Sequence, residues 1–436
     1  MKKTCLLLVL ALLATLLGSV PAALAEKEPV TITFMGWEAS PLETESVLNG
    51  IALFESKNPD IKVEYTPING TYAEKLLTMI AGDAAPDTFF MGMGEYRNFQ
   101  EKGVLLDLTD YFNAEYKLDD FIPSSQKLMS IDDHIYGVSS CTVSPAIYYN
   151  KDIFDAAGVA YPPADPAEAW TWDEFVEVAK KLTKTNADGT VDTFGVYGAE
   201  NSDPRMALYY AAGGTYYNED ITEAAVDNDT FRTVMGNILK LRNEYKVAPQ
   251  ASLLMEQGSS GMSGAQMLQT GKIAMLLDGS WAMQELASMG FRVGVGCLPK
   301  MGDSAVATTI GQAHVHSAWT KTKHPEEAWR FLSFLSSAEY QTDLVRSGLW
   351  MPNRTAMYDP ENIDSWYNKD VYGEGYEKMV PFFRDAAPYQ TGLCNKVKAN
   401  QAINDELNLY FSAEGQDIEL TIQNITDNVA AELRRR

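Results

Sequence analysis

The spacing of hydrophobic residues changes from helical to strand-like near Pro59. Upstream, Val47, Ile51 and Phe54 recur at the interval of one helix face, whereas residues 61–65 alternate between apolar and polar as a half-buried strand does. Pro59 has no N–H group to donate and pushes the preceding residue out of the helical region, so the helix must end there. The pattern therefore predicts a helix that returns directly into a strand, as in an α/β protein.

Strands and helices alternate through the first part of the chain. The predicted elements are strands at Val30–Met35, Ile61–Thr66 and Thr88–Met91, and helices at 43–57 and Tyr72–Ala81. Gly82 follows the second helix and is expected in the left-handed conformation that commonly ends a helix. This alternation predicts a parallel, doubly wound sheet, in which ligands bind beyond the carboxyl ends of the strands.

Later patterns indicate a crossing between lobes and further helix starts. The stretch Tyr136–Tyr149, rich in Val, Ser, Thr and Tyr, predicts one long strand that passes from one lobe to the other. Thr171–Glu174 and Ser336–Glu339 each have the spacing of a capping box. Ser280 is expected to cap a helix, with Trp281 in its first turn.

The first 25 residues have the organisation of an export signal. Lys2 and Lys3 precede the apolar run Leu6–Leu17, and Ala23-Leu24-Ala25 supplies the small residues that a signal peptidase recognises. The run is shorter than the roughly 18 residues of a membrane span, which disfavours the alternative of an uncleaved anchor helix. We therefore expect cleavage after Ala25 and an exported soluble protein, either periplasmic or associated with the cell surface.

Composition and cysteine content narrow the function classes. The chain of 436 residues is 46% hydrophobic and 22% charged, as in an ordinary soluble protein of two or three domains. Without the two lysines of the signal segment it carries 33 basic and 59 acidic residues, a net charge of −26, which argues against nucleic-acid or anionic membrane partners.

The cysteines indicate neither a lipid anchor nor a disulfide scaffold. Cys5 precedes the apolar run, whereas the lipidated cysteine of an exported lipoprotein stands at the end of that run. Cys141, Cys297 and Cys394 can form at most one disulfide, and free buried thiols are the favoured interpretation.

Seven blocks of residues occur in order along the mature chain. They are Phe54-Glu55 with Asn58-Pro59 and Ile61; Ala85-Pro86-Asp87; Tyr136-Gly137-Val138; Tyr148-Tyr149-Asn150-Lys151-Asp152 with Phe154; Thr171-Trp172 with Glu174-Phe175; Gly271-Lys272-Ile273-Ala274-Met275 with Gly279-Ser280-Trp281; and Ala328-Trp329 with Phe331-Leu332, Gly348 and Pro352. Together these blocks resemble the family 1 extracellular solute-binding proteins. That family comprises the maltose-binding-protein-like, sugar-capturing subunits of ATP-binding-cassette (ABC) importers.

The resemblance implies a type II binding-protein fold. Such a fold has two α/β lobes, each a doubly wound sheet flanked by helices, joined by about three crossovers at a hinge. Carried onto this chain, residues 1–25 form the signal peptide, 26–141 and 311–358 the first lobe, and 142–310 and 359–436 the second. The family further implies a ligand in the cleft between the lobes, closure of the hinge on binding, and recognition of the closed form by a membrane permease.

Sugars present C–H faces and a rim of hydroxyls, so their sites combine aromatic platforms with carboxylates, amides and arginine. The segments that match the family's pocket supply the candidate ligand-binding residues Trp37, Glu38, Met91, Glu95, Tyr96, Thr142, Asn201, Asp203, Arg205, Gly279, Ser280, Trp281, Gln312 and Trp350. Trp281 is the favoured stacking platform and Glu38 the favoured hydroxyl acceptor. The alternatives for these two are a core tryptophan and a solvated loop carboxylate. Met91 stands where some family members carry an aromatic residue, so no particular sugar is transferred from the family.

Two local patterns admit more than one interpretation. Residues 201–205, Asn-Ser-Asp-Pro-Arg, are typical of a turn, and Arg205 could either clamp an anionic sugar such as a uronate or pair with the neighbouring aspartate. His314 and His316 share one strand face, a spacing compatible with metal binding, but polar packing is favoured because no cysteine or carboxylate lies nearby. We expect no metal, no cofactor and no catalytic residue.

These patterns predict a non-enzymatic, monomeric solute-binding protein that captures a mono- or oligosaccharide and delivers it to an ABC permease. A secreted glycoside hydrolase is one alternative, and it would need two cleft carboxylates at a defined separation. The sequence holds no HExxH, GxSxG or Walker-type loop. A sensor subunit that presents its ligand to a receptor is the other alternative. The patterns leave open whether the solute is a sugar at all.

Overall fold

Two sheets with separate cores organise the protein. A computed structural model describes residues 28–38, 40–249, 262–412, 415 and 417–435. The predicted signal segment therefore lies outside the described residues. In the part that is described, no helix combines the length and the apolar character needed to cross a bilayer.

The strands fall into two main sheets and one small hairpin. They are β1 Val30–Trp37, β2 Ile61–Ile68, β3 Thr88–Met91, β4 Ser130–Ile131, β5 His134–Ile135, β6 Gly137–Val143, β7 Pro145–Asn150, β8 Lys184–Thr185, β9 Val191–Tyr197, β10 Ile273–Gly279, β11 Val293–Gly296, β12 Ile310–Ala318 and β13 Ala387–Pro388. The first sheet has the order β13-β12-β3-β1-β2, with β6 also paired to β12, and the second has the order β11-β7-β10-β9-β8. As the alternation predicted, β1 runs parallel to β2 and β3, but β12 runs antiparallel to β3 and β6, so this sheet is mixed.

Helices flank both sheets. They are α1 Pro41–Lys57, α2 Tyr72–Ala81, α3 Met93–Glu101, α4 Thr109–Glu115, α5 Pro123–Met129, α6 Lys151–Ala157, α7 Trp172–Leu182, α8 Ser202–Ala211, α9 Asp229–Asn243, α10 Gly264–Gln269, α11 Ala282–Ser288, α12 Pro325–Leu335, α13 Ala338–Arg346, α14 Ile363–Trp366, α15 Lys369–Tyr372, α16 Val380–Arg384, α17 Val397–Tyr410 and α18 Ile418–Leu433. Short 3₁₀ helices occur at Leu118–Asp120, Thr355–Tyr358, Tyr376–Met379 and Gln390–Leu393.

Each sheet has its own hydrophobic core, and the two cores define the lobes used below. The core of the first lobe consists of residues between 32 and 143 and between 313 and 350. The core of the second lobe is drawn mainly from residues between 146 and 310 and between 351 and 429. Cys141, Cys297 and Cys394 are buried, free thiols divided between these cores.

The first helix-to-strand return forms as its hydrophobic spacing predicted. The hydroxyl of Ser40 accepts a 3.1 Å hydrogen bond from the Glu43 N–H, and Pro41 occupies the first helical position, where no N–H is needed. Helix α1 ends at Lys57, immediately before Asn58-Pro59. Phe54 is 1% exposed and meets the ring of Phe331 at 5.1 Å, so this helix is fixed by core packing as well as by its cap.

The predicted crossing strand is divided into two. Strand β6 belongs to the first sheet and β7 to the second, with Ser144 between them. Because Pro145 has no N–H group, the hydrogen-bonding ladder of the first sheet cannot continue past this point. The chain does pass between the lobes here, but through a break in the strand.

Two helix-end predictions were wrong by one residue. Helix α2 ends at Ala81 as expected, but the left-handed residue is Asp83, with φ 57°, whereas Gly82 has φ −83°. Aspartate tolerates this region better than most side chains do, and here it adds an ion pair with Lys321.

The second predicted capping box is also displaced. The N-cap of α13 is Ser337, whose hydroxyl accepts a 3.2 Å hydrogen bond from the Tyr340 N–H. Ser336 ends the preceding helix and its hydroxyl donates to the Ser139 carbonyl, while Glu339 pairs with Lys57. The capping box at Thr171–Glu174 forms as predicted, with reciprocal hydrogen bonds of 3.3 and 2.8 Å.

Candidate functional site

A cavity of about 760 Å³ lies between the two lobes. Most of its wall belongs to the first lobe, and includes Trp37, Tyr72, Phe90, Glu95, His314 and Trp350. The second lobe contributes Ser202, Asp203 and Trp281, and Tyr389 also lines the space. This is the position that the strand-end rule predicts, since β1 and β3 end at the cavity.

Trp37 forms an exposed aromatic face on the first lobe. It is the last residue of β1, remains 46% exposed, and stacks on Tyr72 with ring centroids 6.0 Å apart and planes 8° apart. The hydroxyl of Tyr72 donates to the carbonyl of Phe90 at 2.7 Å and lies 3.0 Å from that of Met35, so the ring beneath Trp37 is fixed from both neighbouring strands. A flat aromatic surface is therefore presented to the cavity.

Trp281 forms the corresponding face on the second lobe. It is 37% exposed, and its ring lies over Gly279, where an added Cβ would stand 2.3 Å from the ring. The prediction that Ser280 caps the next helix was wrong, because Trp281 itself is the N-cap of α11. The Ser280 hydroxyl instead accepts from the Ser144 N–H at 3.4 Å, and so ties the end of β10 to the lobe crossing.

Two carboxylates in the cavity wall come from opposite lobes. Burial raises the pKa of Glu95, whose Oε2 would stand 2.4 Å from a Cβ placed on Gly92. Burial also raises the pKa of Asp203, which accepts hydrogen bonds from the Gln312 amide at 2.7 Å and the Tyr389 hydroxyl at 3.1 Å. Both groups can accept hydrogen bonds from a ligand that reaches the cavity.

The His314-x-His316 pair lies on the cavity side of β12. Burial lowers the pKa of each imidazole to about 3, so both are neutral near pH 7. Phe90 meets both rings, with centroids 4.9 and 5.6 Å away, and Ser140 lies 2.9 Å from His316 Nε2. Within the described ranges, no group of three or more His, Cys, Asp or Glu side chains is placed to hold a metal ion.

Trp350 completes the aromatic wall from a strained backbone position. Its φ of 65° is in the left-handed region, which is unfavourable for a bulky residue. The indole ring meets His314 edge-on at 4.5 Å and is 5% exposed. The strain is thus borne at a residue that lines the cavity.

The candidates from the sequence divide evenly between the cavity and its surroundings. Those that line the cavity are Trp37, Met91, Glu95, Asp203, Trp281, Gln312 and Trp350. Those that do not are Glu38, Tyr96, Thr142, Asn201, Arg205, Gly279 and Ser280. Tyr96, for example, is fully buried and donates to the Met129 carbonyl at 2.8 Å, and the Thr142 hydroxyl donates to the Gln312 carbonyl at 2.8 Å.

Arg205 is buried instead of facing a ligand. The segment predicted as a turn opens helix α8, with Asn201 as N-cap and Pro204 in the first turn, where proline is tolerated. Arg205 is 1% exposed, and its guanidinium donates to the Glu200 carbonyl at 2.8 Å and to Asn404 Oδ1 at 3.1 Å. Its position favours packing over clamping of an anionic sugar, while its charge lowers the pKa of the neighbouring Asp203 against the rise that burial causes.

Several lining residues were not predicted. Tyr72 comes soon after the end of strand β2, and Phe90 is the penultimate residue of strand β3. The rule that ligands bind beyond strand ends, applied strictly, would have included both. His314 was considered from the sequence only as one member of a possible metal-binding pair with His316. Tyr389 belongs to a C-terminal stretch without a recognisable motif, and no local signal indicates that it returns to the cavity.

Comparisons with known proteins agree with this architecture. Residues 40–342 match the family model described as bacterial extracellular solute-binding protein. The arabinooligosaccharide-binding protein of Bacillus subtilis is 23% identical over 432 residues, covering 95% of this chain and 90% of the relative.

Solved structures share the fold across nearly the whole chain. An ABC substrate-binding protein from Listeria monocytogenes, in complex with cycloalternan, superposes with a TM-score of 0.78 at 24% identity, covering 94% of this chain and 100% of the other. The GacH receptor of Streptomyces glaucescens, solved unliganded and with acarbose, gives a TM-score of 0.74 at 21% identity, with coverage of 94% and 99%. Since the family model spans more than half of its length, the chain belongs to the bacterial extracellular solute-binding protein family.

Proposed function

We propose that the protein captures a mono- or oligosaccharide in the cavity between its lobes and delivers it to the permease of an ABC importer. The observation that carries this proposal is the pair of exposed tryptophan faces, Trp37 and Trp281, which approach one cavity from opposite lobes. Aromatic faces bind the C–H surfaces of sugars, and the carboxylates and amide beside them suit the hydroxyl rim. The similar proteins include an arabinooligosaccharide-binding protein and binding proteins solved with cycloalternan and acarbose, which supports a carbohydrate ligand.

Capture would proceed by closure of the hinge. A ligand held between Trp37 and Trp281 contacts both lobes only when they are close together, so it stabilises the closed population. The lobes also contact each other directly. The Gln284 side-chain amide of the second lobe donates a 2.9 Å hydrogen bond to the Ser347 hydroxyl of the first. The closed form is the one a permease would recognise.

The finer parts of the proposal concern export and assembly. We expect the mature protein to begin after Ala25, to act as a monomer, and to work in the periplasm or at the cell surface. Membership of an extracellular family supports export. A sensor subunit that presents the same sugar to a receptor would share all these features, and loss of sugar uptake in a deletion strain would distinguish transport from sensing.

A glycoside hydrolase remains the alternative from another class. Such an enzyme would use two of the carboxyl groups that line the cavity, among which burial raises the pKa of Glu95 and of Asp203. The family is one of binding proteins, which favours capture without cleavage. Incubation with the oligosaccharide that binds, followed by an assay for new reducing ends, would detect hydrolysis.

Thermal denaturation against a sugar panel tests the proposal. A ligand that binds only the native state raises its stability by about 2.7 kcal/mol at a hundredfold excess over the dissociation constant. We expect a shift with at least one sugar, lost in Trp281→Ala. Trp319→Ala is the matched control, because Trp319 is a partly exposed tryptophan just beyond the far end of β12, outside the cavity lining. No shift with any sugar would overturn carbohydrate capture.

A further inference from the structure

We infer that the cavity selects its sugar by charge, accepting neutral or amino-bearing sugars and excluding uronates and sugar phosphates. This inference rests on the proposed function and narrows its ligand class. It is carried by the charged side chains of the cavity wall, by two neutral imidazoles, and by one buried nitrogen without a partner.

Carboxyl side chains approach the cavity from both lobes. Glu43, Glu74 and Glu95 of the first lobe and Asp203 of the second all line it. Glu74 is exposed, whereas Glu43 and Asp203 lie deeper. A ligand in the middle of this space therefore has carboxylates on two opposite sides.

A positive side chain, Arg205, acts on one of these carboxyl groups, because its charge lowers the pKa of Asp203 against the rise that burial causes. Among the lining residues that the structure describes, none is lysine or arginine. Arg205, the cation that the sequence placed beside Asp203, directs its guanidinium to Glu200 and Asn404 in the second lobe. An anionic ligand would therefore find no charged donor in the described wall with which to pair.

The histidines supply hydrogen bonds without charge. His316 is 6% exposed and lines the cavity, and its Nδ1 has no hydrogen-bond partner among the described atoms. A buried polar atom of this kind is costly unless a ligand or water satisfies it. The Ser140 hydroxyl is hydrogen-bonded to His316 Nε2 at 2.9 Å, and either atom can be the donor. If Ser140 donates, Nδ1 carries the imidazole proton and is a donor; if Nε2 donates, Nδ1 is an acceptor. Nδ1 is itself buried, so a ligand reaches it only if the surrounding side chains shift. A hydroxyl that reached it would satisfy either tautomer, whereas a carboxylate would satisfy only the donor.

The cost of an anion follows from the same carboxylates. Burial already raises the pKa of Glu95 and Asp203, and a nearby negative charge would raise both further. An ammonium group would lower them, and that difference appears directly as binding free energy. At an effective dielectric constant of about 20, a like charge several ångströms away weakens binding by about tenfold or more.

Matched sugars that differ only in charge test the inference. The set comprises glucose, glucosamine and glucuronate; galactose, galactosamine and galacturonate; and the corresponding β-1,4-linked glucose, glucosamine and glucuronate trimers, titrated by calorimetry. We expect every sugar that binds to be neutral or amino-bearing, with its uronate at least about tenfold weaker. A uronate that binds as well as its neutral counterpart would overturn charge selection while leaving carbohydrate capture intact. If no sugar of any charge binds, both proposals fail together.

Charge removal inside and outside the cavity locates the effect. Glu95→Gln should reduce the discrimination between neutral sugar and uronate by about tenfold. Glu64→Gln removes the same charge from an exposed position on β2, outside the lining, and should leave the discrimination unchanged. Asp203→Asn replaces Glu95→Gln if that variant does not fold. Equal discrimination in the wild type and in the cavity variant would overturn the inference.

Discussion

The side-chain amide of Gln312 donates a 2.7 Å hydrogen bond to Asp203 and so joins strand β12 of the first lobe to helix α8 of the second. The other carboxylate oxygen accepts from the Tyr389 hydroxyl at 3.1 Å. Asp203 is thereby satisfied by neutral donors in a site where burial raises its pKa. Both residues line the cavity, so the link between the lobes lies in the cavity wall.

Replacing Gln312 by Glu should make stability strongly dependent on pH. The variant loses the N–H donor and places two carboxylates together, so their pKa values rise in the folded state. A folded pKa raised above the unfolded value means that stability is greatest at low pH and falls as the pH rises. We expect Gln312→Glu to be about 2 kcal/mol less stable than the wild type at neutral pH, with the deficit shrinking toward about pH 4.

Urea unfolding at both pH values measures this difference. Gln401→Glu, on the exposed surface of α17, is the matched control and should show little change at either pH. A deficit of equal size at the two pH values would mean that the loss comes from packing and not from charge.

Two glycine substitutions should separate binding from folding. At Gly279 the three atoms nearest to an alanine Cβ all belong to the ring of Trp281, a partly exposed side chain that can rotate away. At Gly195 the Cβ would stand 2.1 Å from the backbone oxygen of Ala179. We expect Gly279→Ala to change stability by less than about 1 kcal/mol but to weaken sugar binding by up to about tenfold through the displaced platform. Gly195→Ala should cost about 3 kcal/mol or more, because the helix backbone cannot yield.

Denaturant unfolding and calorimetric titration of both variants would establish the contrast. Unaltered sugar affinity in Gly279→Ala would show that the position of the Trp281 ring does not matter for the ligand.

Local chemistry explains which parts of the molecule the sequence predicted. Pro59 ends the preceding helix through its own backbone chemistry, and the alternation at 61–65 identifies a strand without knowledge of its neighbours in the fold. The ends of these elements were therefore predicted to within a few residues. The fate of Arg205 could not be found in this way. Its partners, Glu200 and Asn404, include a residue almost two hundred positions away, and only the tertiary fold decides that the guanidinium turns to them and not to the cavity.

Removing Arg205 should damage the fold more than the site. Arg205→Ala removes the donor to the part-buried Glu200 carbonyl and leaves Asn404 Oδ1 with only the Ser202 hydroxyl as its donor, at 3.2 Å. It also removes a cation from the face of Phe411, 5.6 Å away. We expect a loss of about 3 kcal/mol in unfolding free energy, only partly restored by lysine, which lacks the two-pronged geometry.

Sugar affinity in the folded Arg205→Ala protein should stay within a few-fold of the wild type, as measured by titration. The control is Arg232→Ala, since Arg232 pairs with Asp227 and Glu419 at the surface, where ion pairs contribute little to stability. A large loss of affinity without loss of stability would place Arg205 at the ligand after all.

Asp278 gives the clearest expectation for pH dependence. Burial, together with the negative charges of Asp203 and Glu285, raises its pKa to about 6. Because the folded state holds its proton more tightly than the unfolded state, the native protein loses stability from this group as the pH rises from about 4 to above 6.

Asp278→Asn keeps an oxygen for the 2.8 Å hydrogen bond from the Gly279 N–H and removes the charge. The variant should therefore be more stable than the wild type at neutral pH, by at most about 3 kcal/mol, and no more stable than the wild type near pH 4. Unfolding free energies at the two pH values test this, with Asp220→Asn in an exposed loop as the control. A gain that is the same at both pH values would show that ionisation of Asp278 is not its source.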